Sequence, residues 1–408
     1  MAHNKIYKME GASLISKIEY VIKHNAIIQK MYVFVFSMLF RAIGIFVRKD
    51  NKAILFQSLI GKNYGDSPKV LYDAIRKDDA FKDYTFYWAF DNPDSFETDN
   101  AQKIKLNSIK YFITALKARV WITNVNIERG LHFKPKGTIY LNTWHGCAPL
   151  KVDGNAQKNR NDYDFSDVDI FCSNSEWQDE IFVKYYRAKK ESIIRCGMPR
   201  NDILYKNDSK EIESLRKRFG IPEGKKVILY APTWRESSNI GNNRVIKPPI
   251  DIRYWEKELA EEYIILFRMH HLTTKVMNIE YNSFVRDCSG PMYDINDLMK
   301  MADILITDYS STLTDFAILE RPVLFFAYDY EEYYKSRGLY MRLEELLPGC
   351  VCLDENELLD HIIHLDYMLV SEKVKKLKNK YVCGGEHSTE ICISEIKNKL
   401  GINAGGEK

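Results

Sequence analysis

The sequence predicts an α/β protein made of two successive units, each a parallel sheet layered with helices. Three observations carry that prediction. Short runs rich in β-branched and aromatic residues recur along the chain, apolar almost throughout rather than alternating, as in strands buried on both faces. Charged stretches with helical spacing lie between most of them. The series begins near residue 53 and starts again near residue 227, after a Gly/Pro connector. With 408 residues, 45% hydrophobic and 13% aromatic, the chain has apolar surface for two such cores.

In order, the first series is "AILFQSL" (53–59), "YTFYWAF" (84–90), "ARVWITN" (118–124), "GTIYLNTW" (137–144) and "VDIFCSNS" (168–175), with helical stretches at 68–78 and 101–116. "SLRKRFGIPEGKK" (214–226) reads as a helix and the connector. The second series is "VILYAPTWR" (227–235), "YIILFRMHH" (263–271), "SFVRDCS" (283–289), "ADILITDYSS" (302–311) and "PVLFFAYD" (322–329), with "TLTDFAILER" a helix between the last two. Two Rossmann-like domains facing across a cleft follow, residues 51–205 and 206–395, with 396–408 a frayed tail.

Residues 1–50 form a separate segment. Within residues 1–49, Lys5, Lys8, Lys17, Lys23, Lys30, Arg41, Arg48 and Lys49 face only Glu10 and Glu19, a balance that suits an anionic surface. The apolar run "MYVFVFSMLFRAIGIFV" (31–47) is interrupted by Arg41 and falls short of the roughly 20 residues of a spanning helix. It starts too late and lacks the small-residue site of a signal peptide. It reads either as a helix buried in the first domain or as an apolar, amphipathic helix in the membrane interface. The expected location is cytoplasmic, attached peripherally to the inner face of the membrane. A net charge of +3 demands no nucleic acid. Eight scattered cysteines without a C-x-x-C pair read as reduced thiols, not as a metal site.

In open α/β sheets ligands bind beyond the carboxyl ends of the strands. Polar residues gather there: Trp144, His145 and Gly146 in the first unit; Thr233, Trp234 and Arg235, then Arg268 and His270, then Asp308, Ser310 and Ser311 in the second. After Thr307 the strand ends, and Ser310, Ser311 and Thr312 precede a helix, where free backbone N–H groups and hydroxyls suit a phosphate. Ser and Thr are also ordinary N-cap residues, so the motif alone leaves both readings open. Arg268 and His270 on a neighbouring strand end favour an anion. Gly146 lets a ligand approach, and a neutral imidazole at His145 accepts a proton at cytoplasmic pH. Asp167-Val-Asp169 mimics a metal-binding D-x-D but stands before a strand, at the wrong end. His361 and His364 read as a solvated helix face. Neither a P-loop nor a G-x-G-x-x-G fingerprint is present.

"TWHG…PLK", "GMPRNDIL" (197–204), "LYAPTWR", "FRMH" and above all "ITDYSSTLTDFAILERPVLFFAYDYEEYYKSRGLY" (305–340) resemble the CDP-glycerol glycerophosphotransferase family, over about residues 52–390. The resemblance implies a GT-B fold and transfer of a polyol phosphate from CDP-glycerol or CDP-ribitol to a lipid-linked or polymeric hydroxyl, in teichoic acid or capsular polymer synthesis. By this resemblance His145 is the base and His270 and Arg268 contact the donor diphosphate. Ser310, Ser311 and Thr312 bind its phosphates, with Thr307 and Asp308 beside them. Thr233 and Arg235 border the cleft, and Trp144, Gly146 and Lys151 lie on the acceptor side. Charge on the leaving diphosphate is met by these groups, so no metal or other cofactor is expected; a homo-oligomer is compatible with the reading. Two departures stand out. Cys147 and Ala148 make the stretch before Pro149 one residue longer than the family's "WHGTPLK". A common "DGKAS-x-R" pattern appears as "GGEHSTE" (384–390), with Gly384 and Glu390 in place of Asp and Arg. A sugar transferase of the same architecture and a catalytically idle scaffold are the rival readings.

Overall fold

A computed structural model describes residues 25–146, 150–157, 163–206, 208–233, 248–269, 281–290 and 292–402. Strands β1 (Asp50–Gln57), β2 (Thr85–Phe90), β3 (Gln102–Lys105), β4 (Ala118–Thr123), β5 (Ile139–Asn142), β6 (Ile170–Cys172) and β7 (Ile193–Ile194) form one sheet in the order β3-β2-β1-β4-β5-β6-β7. Strands β8 (Lys226–Tyr230), β9 (Tyr263–Phe267), β10 (Val285–Asp287), β11 (Ile304–Thr307), β12 (Val323–Phe326) and β13 (Val351–Cys352) form a second, ordered β10-β9-β8-β11-β12-β13. Every pairing is parallel. In both sheets the order reverses beside the first strand, and those reversal points, β1/β4 and β8/β11, are where such sheets open a crevice.

The unbroken apolar runs have a direct cause. In the first sheet Leu55, Tyr87, Trp121 and Tyr140 pack on one face and Ile54, Phe56, Trp88 and Ile122 on the other, all buried. A strand covered on both sides needs apolar residues at every position.

Three features differ from expectation. β3 lies inside the stretch read as a helix at 101–116; the helix there is Ile109–Lys117. The tail does not fray at 396: helix Ser388–Leu400 crosses back to the first domain and buries Cys392 and Ile396 in its core. A domain boundary at 395 therefore cuts a helix that belongs to the first domain.

The third is the N-terminal helix, which runs Ala26–Phe46. "AIIQK" extends it upstream of the apolar run, so the stretch Ile27–Phe46 is long and apolar enough to cross a membrane by length and composition. One face packs on the first domain. Ser37 accepts a hydrogen bond from the His132 N–H at 3.0 Å, and Phe40 stacks on Phe112 at 4.3 Å. The opposite face leaves Ile27, Met31, Phe34, Val35, Met38 and Phe46 exposed. The basic residues before position 25 lie outside the described residues.

Candidate active site

His145 follows β5 at the carboxyl edge of the first sheet. Trp144, at φ +55°, turns the chain there and is buried among Phe165, Tyr186 and their neighbours. Its ring lies 4.2 Å from that of His145, so the imidazole rests on an anchored indole. His145 Nδ1 is 2.7 Å from the carbonyl oxygen of Asn124, just past β4. A carbonyl only accepts, so Nδ1 carries the proton and Nε2 keeps its lone pair. Burial pushes the imidazole below its ordinary value, opposed by the Asn124 carbonyl and the carboxylates of Asp66 and Asp153. The hydrogen bond sets the tautomer that presents Nε2, and burial shifts the balance toward the neutral ring.

Ser310, Ser311 and Thr312 stand past β11 at the reversal point of the second sheet. The helix behind them, Thr312–Ala317, is only six residues long, so hydroxyls and backbone N–H groups rather than a long dipole would hold an anion. Ser310 Oγ caps the turn by accepting from the Thr312 N–H at 3.2 Å and lies 2.8 Å from Thr312 Oγ1. Ser311 makes no side-chain cap bond. Its hydroxyl faces the other domain: a Cβ added to Gly146 would lie 2.3 Å from Ser311 Oγ. The loop of His145 and Gly146 and the hydroxyl cluster thus meet with room for no side chain between Gly146 and Ser311.

The other expected residues divide. Thr307 is fully buried and donates to the Ala231 carbonyl at 2.8 Å. Asp308 is buried and accepts from the N–H groups of Thr233 (2.8 Å) and Tyr309 (2.5 Å). These residues tie the end of β8 to the hydroxyl cluster from beneath. Arg268, past β9, donates through Nη1 to the carbonyls of Cys288 (2.7 Å) and Gly290 (2.8 Å), and burial lowers its pKa. No described contact joins it to Ser310–Thr312. Lys151 lines the cleft with Trp144, His145, Gly146 and Ser311. Arg235, His270 and the Cys147–Pro149 insertion lie outside the described residues.

Arg200, within the run "GMPRNDIL", is a residue that sequence reasoning missed. Its side chain is 9% exposed. Nη1 donates to Asp66 (2.7 Å) and to the His145 carbonyl (3.0 Å), and Nη2 to Asp315 (2.8 Å). Asn201 adds a bond to Asp315 at 2.6 Å. Burial alone would lower its pKa, but Asp315 and Asp66 outweigh burial and raise it above the usual value. One arginine therefore holds the loop of His145, the start of helix Asp66–Ile75 and the helix behind the hydroxyl cluster. Gly384 and Glu390 also have clear places. A Cβ on Gly384 would lie 2.2 Å from the Gly197 nitrogen, and Glu390 is exposed beside His387. Asp167 and Asp169 pair with His132 and Lys134, away from the cleft. His364 pairs with Asp360 on an exposed helix face.

Two parallel α/β domains whose strand ends meet across a cleft, clasped by a returning C-terminal helix, define a GT-B architecture. The chain belongs to the family described as CDP-glycerol:poly(glycerophosphate) glycerophosphotransferase, which it matches over residues 39–383. It is 36% identical over 341 residues to a teichoic acid poly(glycerol phosphate) polymerase of Staphylococcus epidermidis, covering 78% of this chain and 47% of that protein. It thus spans about half the length of that relative. A polymerase of the same description from Bacillus spizizenii is 34% identical, with 82% of this chain and 87% of that protein covered. Among solved structures, the wall teichoic acid polymerase TagF superposes with a TM-score of 0.79 at 29% identity, over 97% of this chain and all of that one. A histidine-to-asparagine variant of TagF has been solved after soaking with CDPG.

Proposed function

We propose that this protein transfers a polyol phosphate, glycerol phosphate foremost, from its CDP-activated form to a hydroxyl of a lipid-linked or polymeric acceptor, with release of CMP. The contact of Gly146 with Ser311 carries this reading, because it sets a neutral imidazole from one domain beside a hydroxyl cluster from the other. The acceptor hydroxyl gives its proton to His145 Nε2 as its oxygen attacks the β-phosphorus. The bond from that phosphorus to the bridging oxygen breaks, and CMP departs with the oxygen and its charge. Ser310, Ser311 and Thr312, with the N–H groups behind them, stabilise the charge on the phosphates. Arg200 acts through the His145 carbonyl and Asp315 as a positioning residue.

The reading requires no metal, so turnover is expected to persist in a chelator. The relatives' names favour glycerol over ribitol. The exposed apolar face of helix Ala26–Phe46, edged by Lys30 and Arg41, supports an interfacial site on an anionic membrane. Its other face is engaged by the first domain, and crossing the bilayer would carry that polar domain into hydrocarbon. Incubating purified protein with CDP-glycerol, CDP-ribitol or UDP-sugars and a lipid-linked acceptor, then measuring nucleotide release and product size, tests the assignment. CMP release with phosphate-bearing products supports it; turnover of a UDP-sugar alone overturns it.

A further inference from the structure

Three cysteines converge in the core of the first domain, and the transfer chemistry uses none of them. Cys172 ends β6, Cys196 follows β7, and Cys392 lies on the returning helix Ser388–Leu400. Chain separations of 220 and 196 positions hide the cluster from sequence reading. Cys172 Sγ lies 3.4 Å and Cys196 Sγ 3.9 Å from Cys392 Sγ, and all three sulfurs are within 4.8 Å of one another. Each residue is at most 1% exposed, packed among Ile54, Phe56, Ile170 and Ile396. None of the three lines the cleft that holds His145.

The backbones that carry these sulfurs are fixed independently. The Gly197 N–H donates to the Ser173 carbonyl at 2.9 Å, which extends the β6–β7 ladder past both strand cysteines. Ser388 Oγ donates to the Cys196 carbonyl at 2.6 Å. Asp202 accepts from the N–H groups of Ser388 at 3.0 Å and Thr389 at 2.9 Å, which pins the start of the helix. Sulfurs spaced at about 4 Å share a centre about 2.3 Å from each, the length of a metal–thiolate bond. Hydrogen bonds from Cys172 and Cys392 hold the Cys196 thiol below its ordinary value, so one sulfur already favours the thiolate.

We infer that Cys172, Cys196 and Cys392 form a buried site for one Cu(I) ion, which fastens helix Ser388–Leu400 to the first sheet. Soft thiolates select Cu(I) or zinc. Structural zinc takes four ligands, and among the described residues no carboxylate or imidazole joins the three sulfurs. Three-coordinate Cu(I) needs no fourth. As a sulfur–copper bond forms, the S–H bond of a protonated thiol breaks and its proton leaves to solvent. Copper stays Cu(I) and no electron moves, so uptake strengthens as pH rises. The helix seals the sulfurs from water, so entry waits on its lifting and uptake is slow. The ion lies outside the cleft and is separate from the metal-independent transfer.

The test titrates reduced, metal-free full-length protein anaerobically with Cu(I) held by a competing bicinchoninate chelator. Sulfur-to-copper absorption in the ultraviolet follows uptake to equilibrium. Wild type is expected to take up a single equivalent tightly. Cys392→Ala and Cys196→Ala, made separately, should each weaken that uptake by at least about 100-fold, since losing a direct ligand costs no less than losing an outer-shell partner. Cys383→Ala should leave it unchanged, because Cys383 is exposed and stands outside the cluster. Should both core variants fail to fold, wild type alone still decides: Cu(I) at a hundredfold excess over its Kd should raise the unfolding temperature by roughly 5 °C. No tight uptake, uptake that both substitutions leave intact, or an unfolding temperature unmoved by copper would overturn the site and leave the thiols as core packing. Preference for Zn²⁺ over Cu(I) would overturn the choice of ion.

Discussion

At His145 the Asn124 carbonyl accepts from Nδ1 at 2.7 Å, which leaves the Nε2 lone pair free for the proposed role as base. Replacing His145 by Ala should lower CMP release by about 10²–10⁴-fold, the usual worth of a positioned base, with the unfolding temperature unchanged. The pH profile has a definite sign. Burial depresses the imidazole pKa, so the neutral form persists to lower pH. The acid limb of kcat/KM should then have its midpoint below the roughly 6.5 of a free imidazole; a midpoint above it would show that the protonated ring dominates. Gly146 offers a steric test. A Cβ there lies 2.3 Å from Ser311 Oγ, so Gly146→Val should force the loop and the hydroxyl cluster apart and reduce kcat. A variant with wild-type kcat would mean that the contact is incidental.

At the scale of elements, Arg200 joins a loop and two helices through one buried charge. Arg200→Ala leaves Asp66 and Asp315 buried without their cation and should cost about 3–5 kcal/mol in chemical denaturation. Arg200→Lys keeps the charge but loses the fork that reaches both carboxylates, and an intermediate loss is expected. The N-terminal helix makes a separate prediction. Phe34→Glu with Met38→Glu charges only its exposed face, so vesicle co-sedimentation should fall while turnover of a soluble acceptor is retained.

Strands such as β1, β4 and β11 were legible because apolar residues fill both faces of a covered sheet. β3 was not: in "QKIK" only Ile104 is buried, and one residue makes no period. Two-residue strands such as β7 and β13 are too short to leave any pattern. Of the candidate site, the strand-end places of His145 and the Ser310–Thr312 cluster were legible because the end of a strand is local in sequence. Arg200 was not, since a buried arginine reads like a surface one until its partners are known, and these stand 134 and 115 positions away. The run "GMPRNDIL" carried the only signal.

For the whole molecule, the two domains are not free to drift apart. The Arg200 junction, the ribbon of residues 150–152 with 338–340 and the returning helix Ser388–Leu400 all cross between them. Removing residues 388–408 strips Cys392 and Ile396 from the first domain's core and should lower the unfolding temperature of that domain first. Such fixed geometry places the imidazole against the hydroxyl cluster before substrate arrives. A crystal structure of the His145→Asn variant with CDP-glycerol tests this claim most directly. The account predicts the donor diphosphate on Ser310, Ser311 and Thr312, with its β-phosphorus facing residue 145. A diphosphate bound away from those hydroxyls, or facing away from residue 145, would contradict it.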